Sequence, residues 1–106
     1  MARTLIDAPT HARRGEAIHV RVLLQHPMES GFRVGADGKL LPRDIVRRFS
    51  CLYNGERVLD VELFPAISAN PFLEFSALAS DSGTLSFSWE GDNGFLHREQ
   101  WAITVT

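Results

Sequence analysis

Residues 45–71, IVRRFSCLYNGERVLDVELFPAISANP, leave this chain little freedom in local structure. Asn54-Gly55 separates two runs in which apolar and polar residues alternate. Both residues tolerate a positive φ, which a two-residue type I′ hairpin turn requires. One arm is Val46 to Tyr53, with Phe49, Cys51 and Tyr53 on one face. The other is Glu56 to Phe64, with Leu59, Val61 and Leu63 on one face and Asp60 and Glu62 between them. A period of two means an apolar side packed inward and a polar side turned to water. The segment that follows, Pro65 to Pro71, carries no charge and has a proline at each end. Such a loop loses little entropy on ordering, which favours a preformed contact surface.

The same alternation recurs along the rest of the chain. Residues 3–6 form a short strand, and Asp7 to Gly15 a polar connection. Residues 16–26 form a longer strand, with Ile18, Val20, Val22 and Leu24 on one face. Leu23 breaks its alternation, which implies that both faces are partly covered. His26 to Pro42 is the longest irregular stretch, with a small hairpin expected at Asp37-Gly38. A loop of this length in a compact domain is either functional or mobile. Strands follow at 72–79, 84–90 and 95–105, joined by Asp81-Ser82-Gly83 and Asp92-Asn93-Gly94. No segment reads as a capped helix. About seven strands at regular turn spacing predict an all-β, immunoglobulin-like sandwich of antiparallel strands. Greek-key order places 3–6, 16–26 and 72–79 in one sheet. The other holds 45–53, 56–64, 84–90 and 95–105.

A chain of 106 residues is one domain, 1–106, with room for one core. Apolar residues make up 44% and charged residues 23%, so neither disorder nor a membrane span is expected. No apolar run approaches the ~20 residues of a spanning helix. A net charge of −2 argues against nucleic acid as a partner. The N-terminus has no apolar core of a signal peptide.

The residues that carry chemistry are sparse. Cys51, the one cysteine, shares a face with Phe49 and Tyr53 and reads as an inert core thiol. His11, His19, His26 and His97 lack the short spacings of a zinc site. His26-Pro27-Met28 with Cys51 offers the ligand types of a blue-copper site, but no second histidine follows the cysteine until His97. Asp60 and Glu62 lie two apart on a solvent face, and Ser68 has no partners in a motif. No enzyme, cofactor or metal is expected.

Three stretches carry a family resemblance: HPMESGFR at 26–33, GKLLPRDIVRRFSCLYNGERV at 38–58 and ELFPAISANPFLEF at 62–75. Together with GTLSFSWEGDNG at 83–94, they resemble SoxZ over nearly the whole chain, in order and spacing. SoxZ is the small subunit of the SoxYZ sulfur carrier of bacterial thiosulfate oxidation. The resemblance implies an immunoglobulin-like fold and pairing with a SoxY-type subunit as a heterodimer. SoxY carries sulfur intermediates on a cysteine in a flexible, glycine-rich C-terminal tail. This chain ends in the strand-like Trp101 to Thr106 and has no such tail, so it is expected to be the other, non-catalytic subunit. The resemblance also implies a periplasmic location, reached by export with a signal-bearing partner.

Two surfaces are expected to meet the partner or the pathway enzymes. The first comprises Met28, Phe32, Pro65, Ile67, Asn70 and Phe72. The second is the polar faces of the C-terminal strands. An orphan pairing face also makes a homodimer an expected state of the chain alone. The alternative reading is a free-standing recognition module for carbohydrate or protein, with Trp89 and Trp101 as a sugar platform. Both tryptophans fall on core-facing positions, which counts against it.

Overall fold

The computed structural model describes residues 3–106. Eight strands form two sheets. They are β1 (Thr4–Asp7), β2 (His11–Ala12), β3 (Ala17–Leu24), β4 (Val46–Tyr53), β5 (Glu56–Glu62), β6 (Phe72–Leu78), β7 (Gly83–Gly91) and β8 (Leu96–Val105). One sheet has the order β1-β3-β6 and the other β2-β8-β7-β4-β5. The division of strands between sheets is the one expected from Greek-key order. The eighth strand is the correction. Residues 11 and 12, expected to lie in a plain connection, pair in parallel with Thr104 and Val105. A strand of two residues has no periodicity to read.

The core lies between the sheets because each strand turns one face inward. Ile18, Val20, Val22 and Leu24 of β3 are buried, as are Leu85, Phe87 and Trp89 of β7. Phe49 sits at the centre. Its ring centroid lies 5.1 Å from Trp89 and 6.2 Å from Phe87 within its own sheet, and 6.0 Å from Phe75 across the sandwich. Tilted and stacked pairs of this kind add about 0.5–1.5 kcal/mol each beyond the area they bury.

The hairpin turn behaves as its sequence demands. Asn54 and Gly55 have φ of 50° and 83°. The Asn54 side chain also reaches beyond the turn. Its Oδ1 accepts the Thr84 N–H at 2.9 Å, which pins the start of β7 to the hairpin. Strand β4 departs from simple alternation at its start. Its register against β7 shifts between Val46 and Arg48, so Val46 and Phe49 both point inward while Arg47 and Arg48 point out. Such a bulge lets one strand keep a buried residue on each side of an irregularity.

Residues 92–94, expected as a tight turn, form a single 3₁₀ turn with Asn93 and Gly94 at positive φ. The long stretch between β3 and β4 is an arm rather than an open loop. Glu29 and Asp44 exchange two backbone hydrogen bonds of 2.8 Å at its base. Val34 pairs with Leu40 near its tip, around the small hairpin expected at Asp37-Gly38. Gly31 makes the arm possible: φ is 89°, and a Cβ there would stand 3.0 Å from the Arg43 Cβ. No helix among the described residues is long and apolar enough to cross a membrane.

Candidate interaction surface

The two stretches that the sequence marks as unusual, HPMESG and PAISANP, meet in space. The His26 N–H donates to Asn70 Oδ1 at 3.0 Å, and the Asn70 N–H donates to the His26 carbonyl at 2.7 Å. Asn70 adopts φ of 56°, a conformation asparagine accepts more readily than most residues. Nearby, the Leu24 N–H donates to the Pro71 carbonyl at 3.1 Å. The 65–71 loop is thereby fastened to the end of β3 and the base of the arm.

His26 is the buried polar residue of this junction. Its Nδ1 accepts the Met28 N–H at 3.0 Å, and its ring makes a T-shaped pair with Phe95 at a centroid distance of 5.0 Å. Nε2 faces Asp44 Oδ1 at 3.7 Å. Burial lowers the pKa of the ring, against the opposing pull of the Asp44 and Asp92 carboxylates. Met28, with φ of 50°, turns its thioether inward, where Sδ accepts the Val46 N–H at 3.2 Å.

The expected contact residues therefore divide. Met28 is buried and cannot present its side chain to a partner; it corrects the expectation by acting as an anchor beneath the surface. Asn70 is exposed, but its amide oxygen is committed to the His26 N–H. Phe32, on the arm, is 82% exposed, and Phe72 and Ile67 are also exposed. Pro65 is half-buried and borders a groove of about 360 Å³ with Leu63, Phe64 and Arg47.

That groove looks basic in sequence, yet its arginines are already matched. Asp92 receives Arg43 through Nε and Nη2, both at 2.9 Å, and lies 3.3 Å from Arg47 Nε. Arg48 pairs with Asp60. Burial pushes the Asp92 carboxyl up, but hydrogen bonds from Arg43 and the Ile45 N–H, with the charges of Arg43 and Arg47, outweigh it and hold the carboxyl below its usual range. No free cationic site for an anion follows from these three arginines.

Sequence reading missed a further feature. On the outer face of the three-stranded sheet, Leu5, Leu23 and Phe72 occupy one register across β1, β3 and β6. Leu5 is 71% and Phe72 56% exposed. The next outward register along is Asp7, Arg21 and Glu74, where Arg21 Nε donates to Glu74 at 2.6 Å. The face thus offers an apolar row beside a charged one in which Arg21 pairs with Glu74. The break in alternation at Leu23 is its one local signal.

The second expected surface is polar. Ser50, Leu52, Ser86, Ser88, Arg98 and Gln100 line a shallow groove of about 420 Å³ on the outer face of the five-stranded sheet.

Cys51 is fully buried, and burial pushes its thiol up to about 12. Among the described residues, no three of His, Cys, Asp and Glu group as a metal site would need. Trp89 is buried, and Trp101 Nε1 donates to the Pro9 carbonyl at 3.0 Å, so the two do not form a sugar platform.

Comparison with known proteins adds three findings. The family model of Sulphur oxidation protein SoxZ matches residues 6–102. No curated protein sequence matches the chain. Among solved structures, the sulfur carrier protein SoxY from Chlorobium limicola f thiosulfatophilum aligns with a TM-score of 0.67 and 18% identity, over 97% of this chain and 78% of that one. Superoxide reductase (neelaredoxin) from Ignicoccus hospitalis aligns with a TM-score of 0.69 and 20% identity, over 97% and 80%. At such identities these likenesses describe the fold alone.

Proposed function

The chain belongs to the SoxZ family of sulfur oxidation proteins, and from that premise we propose that it is the non-catalytic subunit of a two-subunit sulfur carrier. In this reading it pairs with a SoxY-type subunit as a heterodimer. The partner bears the sulfur intermediates on a tail cysteine, and this chain holds the partner in one geometry while the tail visits the pathway enzymes. The pair resides in the periplasm, exported on the partner's signal.

The observation that carries the division of labour is Cys51. A sulfur carrier needs a thiolate that can reach its donors, and thiolate character depends on a low pKa and access. Cys51 has neither: it is fully buried in the sandwich, and its pKa is pushed up to about 12. This chain's part is then a surface, and two apolar sets are available for pairing. One is the Leu5, Leu23 and Phe72 row. The other is formed by Phe32, Val34 and Leu40 on the arm, all three exposed. Exposed apolar residues that cluster mark interaction sites.

Co-expression with the SoxY-type protein of the same organism tests the reading. Native mass spectrometry of the purified material should give a stable one-to-one complex. A chain that stays apart from that partner would overturn it. Fractionation of cells with and without the partner gene tests the location: the chain should enter the periplasm only when the partner is made.

A further inference from the structure

His26 has two possible hydrogen-bonding states, and the residues around it are arranged to distinguish them. In the neutral ring that the geometry requires, Nδ1 carries a lone pair, because it accepts the Met28 N–H at 3.0 Å. The proton must then sit on Nε2, on the side of Asp44 Oδ1, 3.7 Å away. That distance is beyond a hydrogen bond. The neutral ring is fastened to Met28 and stands off from Asp44.

A second proton would go to Nδ1. It would then point at the Met28 N–H, and two donors cannot share that contact. The cation has another place to go. Asp44 and Asp92 both favour a charged ring, and a movement toward Asp44 would close a charge-assisted hydrogen bond. The cost is an orphaned Met28 N–H in a buried position.

The charged groups facing the ring are few. Asp44 stands at the base of the arm. Asp92 lies in the turn between β7 and β8 and is itself held by Arg43 and Arg47. Phe95 covers the ring without charge.

Movement of the ring would not remain local. The backbone of His26 holds Asn70 through two hydrogen bonds, and Asn70 leads through Pro71 into Phe72. Met28 holds Val46 through its sulfur. Asp44 is paired with Glu29 at the base of the arm. His26 therefore holds the base of the arm through its ring and the root of the 65–71 loop through its backbone.

We propose that His26 is a protonation-controlled latch: neutral, its ring fastens Met28 and so sets the base of the arm in the conformation that meets the partner; protonated, it swings to Asp44, drops Met28 and, by shifting the His26 backbone, loosens its two hydrogen bonds to Asn70. The latch is a property of this chain alone. That it regulates partner affinity rests on the pairing reading above. The folded ring binds its proton less readily than an unfolded histidine, whose pKa is ~6.5. The latched state therefore keeps its full contribution above that value and loses it as the pH falls through the folded pKa.

Two measurements separate the latch from its use. In the first, the ring of His26 and the backbone amides of Met28 and Asn70 are followed by NMR in the free chain from pH 8 to pH 4. The latch predicts that all three move together, with a midpoint below 6.5, and that Asp44→Asn lowers the midpoint. His26→Gln should abolish the titration of the Asn70 amide. Should His26→Gln fail to fold, Asp44→Asn keeps the test decisive. Amides that stay still while the ring titrates, or a ring that never titrates while the chain stays folded, would overturn the latch. In the second, the affinity for the SoxY-type partner is measured across the same range. It should weaken below the midpoint in the native chain and stay flat in His26→Gln. A native affinity without that dependence would remove the regulatory role while leaving the pairing reading intact; absence of binding at every pH would remove the pairing reading instead.

Discussion

The two sheets of this sandwich are alike on their inner faces and opposed on their outer ones. Inside, both supply aliphatic and aromatic side chains to a single core. Outside, the five-stranded sheet shows mainly serines, Arg98 and Gln100, with Leu52 among them and Leu96 exposed at one end of β8. The three-stranded sheet shows Leu5, Leu23 and Phe72 in one register, beside a charged row in which Arg21 lies between Asp7 and Glu74. A polar outer face is what an antiparallel sheet shows to water. A row of exposed apolar side chains is what a sheet shows to another protein. On the pairing reading proposed above, the difference makes the smaller sheet and its adjoining loops the expected contact face.

If that assignment holds, damage to the inner layer and to each outer face should differ in kind. The largest effect on stability belongs to the inside. Phe49→Ala removes a ring that packs on three other aromatic rings and should cost about 3–5 kcal/mol in denaturant unfolding. A smaller cost would mean that the two sheets are less closely packed than the ring distances imply. Next comes the apolar outer face. Leu5→Asp with Phe72→Asp should change stability by no more than about 0.5 kcal/mol each, as exposed positions do. The same pair should weaken association with the SoxY-type partner by roughly 30-fold or more, the scale of a lost hot spot of about 2 kcal/mol. Calorimetric titration reads the affinity, and thermal unfolding run beside it reads the stability. Ser88→Asp on the other sheet is the matched control, with an affinity within about twofold of native. Equal losses from the two faces would erase the contrast between them.

Much of this architecture is legible in the sequence, for a physical reason. The longer strands bury one side, so their two-residue period is written in the order of their residues. Trp89, Phe87 and Leu85 need no partner strand to be identified as inward-facing. Asn54-Gly55 likewise declares its own turn. What escapes depends on relations between strands. Leu5, Leu23 and Phe72 are far apart in sequence, and no one of them marks an apolar row; only the register of β1, β3 and β6 joins them. Strand β2 escapes because two residues have no period. The bulge at the start of β4 escapes because Arg47 and Arg48 are polar in either register. Met28 reads as a surface contact because a methionine in a proline- and glycine-rich loop gives no hint of a positive φ that turns it inward. HPMESG and PAISANP stand out by composition alone. Their meeting, through the His26 and Asn70 exchange, comes only from the fold.

The division of labour between a sulfur-bearing partner and a chain that does not carry the sulfur is tested most directly by mass. The co-purified pair would be supplied with thiosulfate and the enzymes that load the carrier, then separated, and the intact mass of each subunit measured. A buried Cys51 with its pKa pushed up to about 12 predicts that sulfur adducts appear on the SoxY-type subunit alone, with this chain at its unmodified mass. An adduct on this chain, mapped to Cys51, would contradict the account and make the chain a carrier in its own right.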